Sequence, residues 1–276
     1  CIEQPGEDPG FAPKVRIRSC PIREYVGLIF AYLGEGDPPP LPRLADFETE
    51  GALIWSYGHI RPCNFWNGLE NDPTHLAFTH RGAEAAHLRP PEVHTDVSAE
   101  ETDWGIMIRT TYPSFLHISH HGMPNMTYSR GRERDRLSWK VPLDDETFLN
   151  LQANLMRLPA GEEAAIYQRR NAARRGERKG PSYREVAEAV LRGELTLEEV
   201  EDRSNMNWIQ DFVTQVGQGH PRDYLRTERL GRSDAAIILF RKIWQREVRA
   251  VLAGRPLKQW GGWERLDKGS RGDFQE

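Results

Sequence analysis

Within the stretch GLENDPTHLAFTH, residues 68–80, a carboxylate and two imidazoles fall at Asp72, His75 and His80, in a chain with nine histidines in all. Two histidines and one carboxylate on one face of an ion, with coordination positions left open, are the arrangement of non-haem Fe(II) oxygenases. The spacing alone is a weak signal. Five residues on a straight helix turn through about 140° beyond one full revolution, so His75 and His80 reach one ion only where the helix ends or bends. The competing reading is local: Asp72 caps a helix, Pro73 takes its first position, and both histidines are ordinary half-buried side chains. A metal site needs a third ligand from elsewhere in the chain.

Other polar residues are assigned structural work. In HISHHGMPN, His117 and His121 face the same way on a strand; His117 could line a pocket, but all three histidines, His120 included, read as satisfied strand residues. Asp144 and Asp145 sit at a strand end and read as a turn cap. Asp223 and Asp234 read as turn and cap residues. Trp139, Phe148, Leu155 and Met156 read as core rather than pocket.

The elements that must position these groups change character along the chain. KVRIRSCPI alternates apolar and polar residues, and YVGLIFAYLG reads as a buried strand, so residues 12–33 are expected to be strands. GEGDPPPLPRL then fixes an extended connector, marking a boundary between residues 1–36 and 37–276. A loop-rich segment leads to residues 64–80, where Leu76, Ala77 and Phe78 suggest a helix. From 91 to 158 the period is two, in EVHTDVSAEETDWGIMIRTTYP, FLHISHHGMPNMTYSRG, DRLSWKVPL and FLNLQANLM, which implies an antiparallel sheet.

Helical periodicity follows. PAGEEAAIYQRRNAARR begins with Pro159 and acidic residues and ends in arginines. SYREVAEAVLRG opens on a Ser182–Glu185 capping box. SNMNWIQDFVTQVGQG puts Trp208, Phe212 and Val213 on one face. SDAAIILFRKIWQREVRAVLAG is the clearest long helix, with Ile237, Phe240, Ile243, Trp244 and Val248 spaced for a core face. The pattern is α+β.

Composition narrows the class. The 276 residues are 38% hydrophobic and 28% charged, with a net charge of −4, unlike a dedicated nucleic-acid binder with its basic face. No run of about 18 apolar residues predicts a membrane span. Cys1, Cys20 and Cys63 form no CxxC pair and no disulfide framework, so a reducing cytoplasm is expected.

Several segments together resemble one family. RPCNFWNGLENDPTHLAFTHR is similar to the mononuclear-iron motif of Rieske non-haem iron oxygenases, the aromatic-ring-hydroxylating α subunits, whose Asp-x-x-His-x4-His core stands here at Asp72, His75 and His80. NWIQDFVTQVGQG followed by ERLGRSDAAIILFRKIW resembles the segment that carries the third ligand, which maps onto Asp211. LSWKVPLDDET is similar to a strand end of the family, and residues 1–36 resemble the closing strands of its Rieske domain. Two features depart from the pattern. Asn71 directly precedes Asp72, where the family keeps two residues between them. No Cys-x-His or Cys-x-x-His pair of the Rieske cluster occurs.

The resemblance implies a helix-grip-like catalytic domain over residues 37–276, preceded by a remnant of a Rieske domain in an N-terminally truncated chain of the phthalate-dioxygenase-like branch. It implies Fe(II) held by His75, His80 and Asp211, with Asp72 as an electron-transfer bridge and Asn71 beside it. It implies O2 activation that hydroxylates, dihydroxylates or O-demethylates an aromatic substrate. Electrons would come from NADH through a reductase and a ferredoxin, to a homotrimer whose [2Fe-2S] cluster belongs to the full-length protein; the truncated chain alone is expected to be inactive. The rival is a metal-free shell of the same fold that binds hydrophobic ligands. No nucleic acid or membrane partner is expected.

Overall fold

The structure is a computed structural model that describes residues 4–17, 19–49, 52–71, 96–113, 115–130, 134–156 and 180–266. Seven strands pair antiparallel into one sheet: β3 (Leu53–Arg61), β4 (Asp96–Glu101), β5 (Gly105–Thr111), β6 (Leu116–Gly122), β7 (Met126–Arg130), β8 (Asp135–Pro142) and β9 (Phe148–Met156). Their spatial order is β3-β9-β8-β7-β6-β5-β4, so five hairpin connections run in sequence and β3 closes the sheet beside the last strand. The four period-two segments of the sequence account for six of these strands. A separate hairpin, β1 (Ile22–Tyr25) and β2 (Leu28–Ala31), turns at Val26 and Gly27, both at positive φ.

The register divides the sheet into two unlike faces. One row runs across it as Ile106, His121, Thr127, Ser138, Gln152 and Tyr57, and the neighbouring row as Met107, His120, Tyr128, Leu137, Ala153 and Ser56 points the other way. The second face is largely apolar, with His120 and Ser56 as its polar members in that row. Leu137, Trp139, Ala153 and Leu155 pack there against Tyr25 of the hairpin, Phe47 and Trp263. Phe30 meets Trp139 edge-on at 5.3 Å. Gly122 is required where Trp263 crosses the sheet, since a Cβ would overlap the indole.

Helices cover the first face: α1 (Phe65–Asn71), α2 (Tyr183–Leu191), α3 (Met206–Gly217), the single turn α4 (Pro221–Tyr224) and α5 (Ala235–Leu252). Ala236, Phe240 and Ile243 of α5 close over Val97, Ile106 and Ile108 of the β4–β5 end. At the β3 end, α3 packs its Met206, Ile209 and Phe212 onto Ala187 of α2. The Ser182–Glu185 capping box of α2 forms as the sequence predicts. No described helix is long and apolar enough to cross a membrane.

Three expectations need correction. KVRIRSCPI is not a strand: Ile17 is 89% exposed and Pro21 removes a ladder donor, so alternation there has no partner strand to read it. The expected loop before residue 64 is instead the nine-residue β3. The helix expected within 64–80 is present over the described part of that stretch, as α1 at 65–71. On α5, Val248 is 47% exposed, and the buried place next to it belongs to Glu247, whose carboxylate accepts from the Lys258 backbone at 3.1 Å and pairs with Arg246. The helix over 159–175 and the helix suggested by Leu76 lie outside the described residues.

Of the strand histidines, His120 and His121 are core residues, and His117 is half-buried. His121 is fully buried against Phe240, with ring centroids 4.5 Å apart, and burial pushes its pKa down to about 3. His120 sits between Trp104 and Tyr128. Because His121 stays neutral in the folded chain while an unfolded histidine gains a proton below about pH 6.5, the unfolded state binds the extra proton in that window. Its contribution is therefore fully retained above about pH 6.5 and lost as pH falls towards the folded value. Urea denaturation of His121→Phe should show an acid dependence between pH 6 and 4 that is shallower than the wild type by up to about 1.4 kcal/mol per pH unit. Parallel curves for the two proteins would show that another group dominates.

Candidate metal centre and its cavity

At the β3 end the helix-covered face turns from apolar to polar. Tyr57, His59 and Arg61 alternate along β3 and share one face; their register partners on β9 are Gln152, Asn150 and Phe148, and beyond these on β8 lie Ser138 and Lys140. These side chains form the floor of a cavity whose opposite wall is α3, through Asn207, Trp208, Asp211 and Gln215. Gly68 and Asn71 of α1 complete it. A Cβ on Gly68 would come within 2.4 Å of the Phe148 ring, so glycine lets α1 lie directly on β9.

Helix α1 is fixed from both sides. The two amide hydrogens of Asn67 are donated to the carbonyls of Gln215 and Gly219, each at 2.8 Å, and its oxygen accepts from Tyr224 Oη at 3.1 Å. These bonds satisfy the Gln215 carbonyl, which the last turn of α3 leaves open, and the Gly219 carbonyl just beyond the helix. On the other side Glu70, buried, accepts from Nε and Nη2 of Arg241 on α5, the latter at 2.8 Å to Oε2, while Nη1 of Arg241 donates to Glu228. Burial raises the Glu70 carboxyl and Arg241 opposes that shift. Asn71, the last described residue of α1, is thereby held at the cavity and is joined in sequence to Asp72.

Asp211 is half-buried on α3 and lines the cavity together with Asn71. Asp72, His75 and His80 lie outside the described residues. Among the described residues no three His, Cys, Asp or Glu side chains cluster as a metal site would need. Asp144 is a turn cap, accepting from the Glu146 backbone and from Thr147 Oγ1, each at 2.9 Å. Asp234 accepts from the Gly231 backbone at 2.7 Å. Of the four residues assigned to the core, Trp139, Leu155 and Met156 are core; Phe148 is buried but also lines the cavity, because α1 reaches it through Gly68.

The floor is strongly cationic, which sequence reasoning missed. Burial pushes Lys140 down to about 7, with Arg61 reinforcing the shift and Asp211 opposing it. The His59 imidazole is held down at about 4 by burial first, then by Arg61 and Lys140. His59 and Tyr57 meet Trp208 at 5.3 and 5.9 Å between ring centroids. The signal was present as polar alternation in LIWSYGHIRP, but polar alternation on an open sheet face means solvent unless a helix covers it.

The fold is similar to that of solved terminal oxygenases of carbazole 1,9a-dioxygenase. A carbazole-bound variant oxygenase in complex with its ferredoxin, from carbazole 1,9a-dioxygenase, superposes with a TM-score of 0.58 at 17% identity, over 90% of this chain and 71% of that one. The terminal oxygenase from Nocardioides aromaticivorans IC177 gives 0.55 at 14% identity, over 85% and 70%. In sequence, the chain is similar to two curated oxygenase subunits. It is 28% identical over 284 residues to the 5,5'-dehydrodivanillate O-demethylase oxygenase subunit of a Sphingobium strain, spanning 94% of this chain and 60% of the relative. It is 25% identical over 291 residues to the phenoxybenzoate dioxygenase subunit alpha of Ectopseudomonas oleovorans, over 92% and 63%. The chain thus spans less than two thirds of either relative. No family model matches it.

The clamp on α1 gives a direct prediction. Asn67→Ala removes three hydrogen bonds and leaves two carbonyls at the end of α3 without their donors, so unfolding free energy should fall by about 1–3 kcal/mol. Urea denaturation measures it, and an unchanged midpoint would show that α1 is held by Glu70 alone.

Proposed function

We propose that this chain is the catalytic part of a terminal oxygenase in which Asp211, His75 and His80 hold one Fe(II). The observation that carries this reading is that Asp211 lines the same cavity as Asn71, which is joined in sequence to the segment bearing Asp72, His75 and His80. One carboxylate and two imidazoles suit ferrous iron with positions left for oxygen. When bound, the iron supplies the reductive activation of O2 on an aromatic substrate, by hydroxylation, dihydroxylation or O-demethylation.

The chain's own residues do the rest. Asp211 stands on a helix whose apolar side is locked onto α2, so its carboxylate keeps a fixed place at the cavity. Asp72 accepts an imidazole N–H and serves as the bridge by which electrons arrive, and Asn71 lies beside it. Trp208, Tyr57, His59 and Phe148 offer ring faces and edges against which an aromatic substrate packs.

The remaining parts follow from the family reading. Residues 1–36 belong to a Rieske domain and 37–276 to the catalytic domain; the [2Fe-2S] cluster is a property of the full-length protein. Electrons pass from NADH through a reductase and a ferredoxin, and one subunit's cluster serves its neighbour's iron in a cytoplasmic homotrimer. The oxygenase–ferredoxin complexes among the structural neighbours support the ferredoxin partner.

Anaerobic Fe(II) titration followed by nitric oxide and EPR tests the site. A high-spin iron–nitrosyl signal should saturate near one iron per chain and disappear in Asp211→Ala and in His80→Ala. A folded chain that takes up no stoichiometric iron, or an Asp211→Ala variant that keeps the full signal, would overturn the reading.

A further inference from the structure

Trp208 does more than wall the cavity beside Asp211. Its ring meets aromatic neighbours on both sides of that wall. Towards the floor the indole meets Tyr57 and His59, with ring centroids 5.9 and 5.3 Å apart. Away from the floor it meets Tyr183, the first residue of α2, at 5.6 Å. Tyr183 is not a lining residue; it is half-buried at the contact of α2 with α3, between exposed Ser182 and Arg184. Trp208 also stands one turn before Asp211, so both lie on the same side of α3. The three rings Tyr57, Trp208 and Tyr183 thus run in contact from the cavity to the surface.

Among aromatic side chains, indole and phenol give up an electron most readily. A metal that activates O2 performs one-electron chemistry, and with no substrate in place its oxidising power falls on the nearest ring. Tyr57 is a poor end point, because oxidising a phenol expels its proton and burial raises the Tyr57 pKa, which holds the proton on. Tyr183 lies among exposed neighbours, where water takes the proton. Packing α2 on α3 needs large apolar surfaces at 183 and 208, but it needs neither a phenol nor an indole.

We propose that Trp208 and Tyr183 form a two-ring relay that drains unspent oxidising equivalents from the cavity to the surface. The oxidant at the iron takes one electron from Trp208. Trp208 takes one electron from Tyr183, whose phenolic proton passes to water. A small-molecule thiol then returns a hydrogen atom to the Tyr183 radical and leaves as a thiyl radical, so both rings are restored. The source of the oxidant rests on the oxygenase reading, whereas the electron path belongs to the chain without metal.

Pulse radiolysis of the metal-free chain with the azide radical, which oxidises indole in preference to phenol, tests the path. The tryptophanyl absorption should decay as the tyrosyl absorption rises, in a first-order phase independent of protein concentration. Trp208→Phe and Tyr183→Phe should each remove the main component of that phase. Tyr183→Phe deletes only a hydroxyl, which keeps the test in force should Trp208→Phe fail to fold. No such phase in the wild type, or an unchanged phase in either variant, would overturn the proposal. In the Fe(II)-loaded chain, treated with hydrogen peroxide and a thiol but no aromatic substrate, Tyr183→Phe should gain more oxygen on the lining rings than the wild type. Peptide mass mapping reads this, and equal oxidation of the two chains would overturn the protective role. The nitrosyl signal separates the two readings: a first-order phase without iron uptake sinks the oxygenase reading alone, and iron uptake without the phase sinks the relay alone.

Discussion

Two cations buried on a β-sheet under a helix are the constraint from which the rest of this structure follows. Arg61 and Lys140 stand where β3 and β8 face α3, and neither position is open to bulk water. A helix laid on such a floor cannot seal it with apolar side chains without stranding the charge. It seals instead at its edges: Phe212 under the Arg61 guanidinium, Trp208 against His59 and Tyr57, and the apolar side of α3 turned to α2. What remains between helix and floor is a polar cavity with Asp211 on its roof. The opposite end of the same face, under α5, packs Ala236, Phe240 and Ile243 on Val97, Ile106 and Ile108 and closes as ordinary core.

That division depends on α1, a short helix with no stability of its own at seven residues. It is fixed by polar ties, to α3 through Asn67 and to α5 through Glu70 and Arg241. The Glu70–Arg241–Glu228 group is buried enough that removing one member would strand another, which makes it a specifier of position. Gly68 sets how close α1 comes to the sheet. Together these fix where the chain stands at Asn71, so the histidine-bearing segment begins at the cavity that Asp211 lines.

Much of this was legible in the sequence and some was not, for physical reasons. Period-two patterning identified the sheet from β4 to β9, because a sheet with one apolar face writes that face into alternate residues. The capping box of α2 and the core face of α5 from Ile237 to Ile243 were readable because they are local. Asp211 was assigned through resemblance, not pattern: a carboxylate on an amphipathic helix looks the same whether it meets solvent or a cavity. His59, Arg61 and Lys140 were missed for the matching reason, since polar alternation does not say what covers it. KVRIRSCPI misled in the opposite direction, carrying the alternation of a strand with no neighbour to pair with. Phe148 was read as core and is core, yet one edge of it also bounds the cavity, a distinction made only by the missing side chain of Gly68 in a different element.

The central claim is that one ion is shared between α3 and the segment that follows α1. Diffraction from crystals of the Fe(II)-loaded chain, with anomalous differences collected at the iron edge, tests this most directly. The account predicts a single peak per chain, bonded to Asp211 and to the imidazoles of His75 and His80. A peak bonded to other side chains, or an ordered Asp211 with no iron against it, would contradict the account.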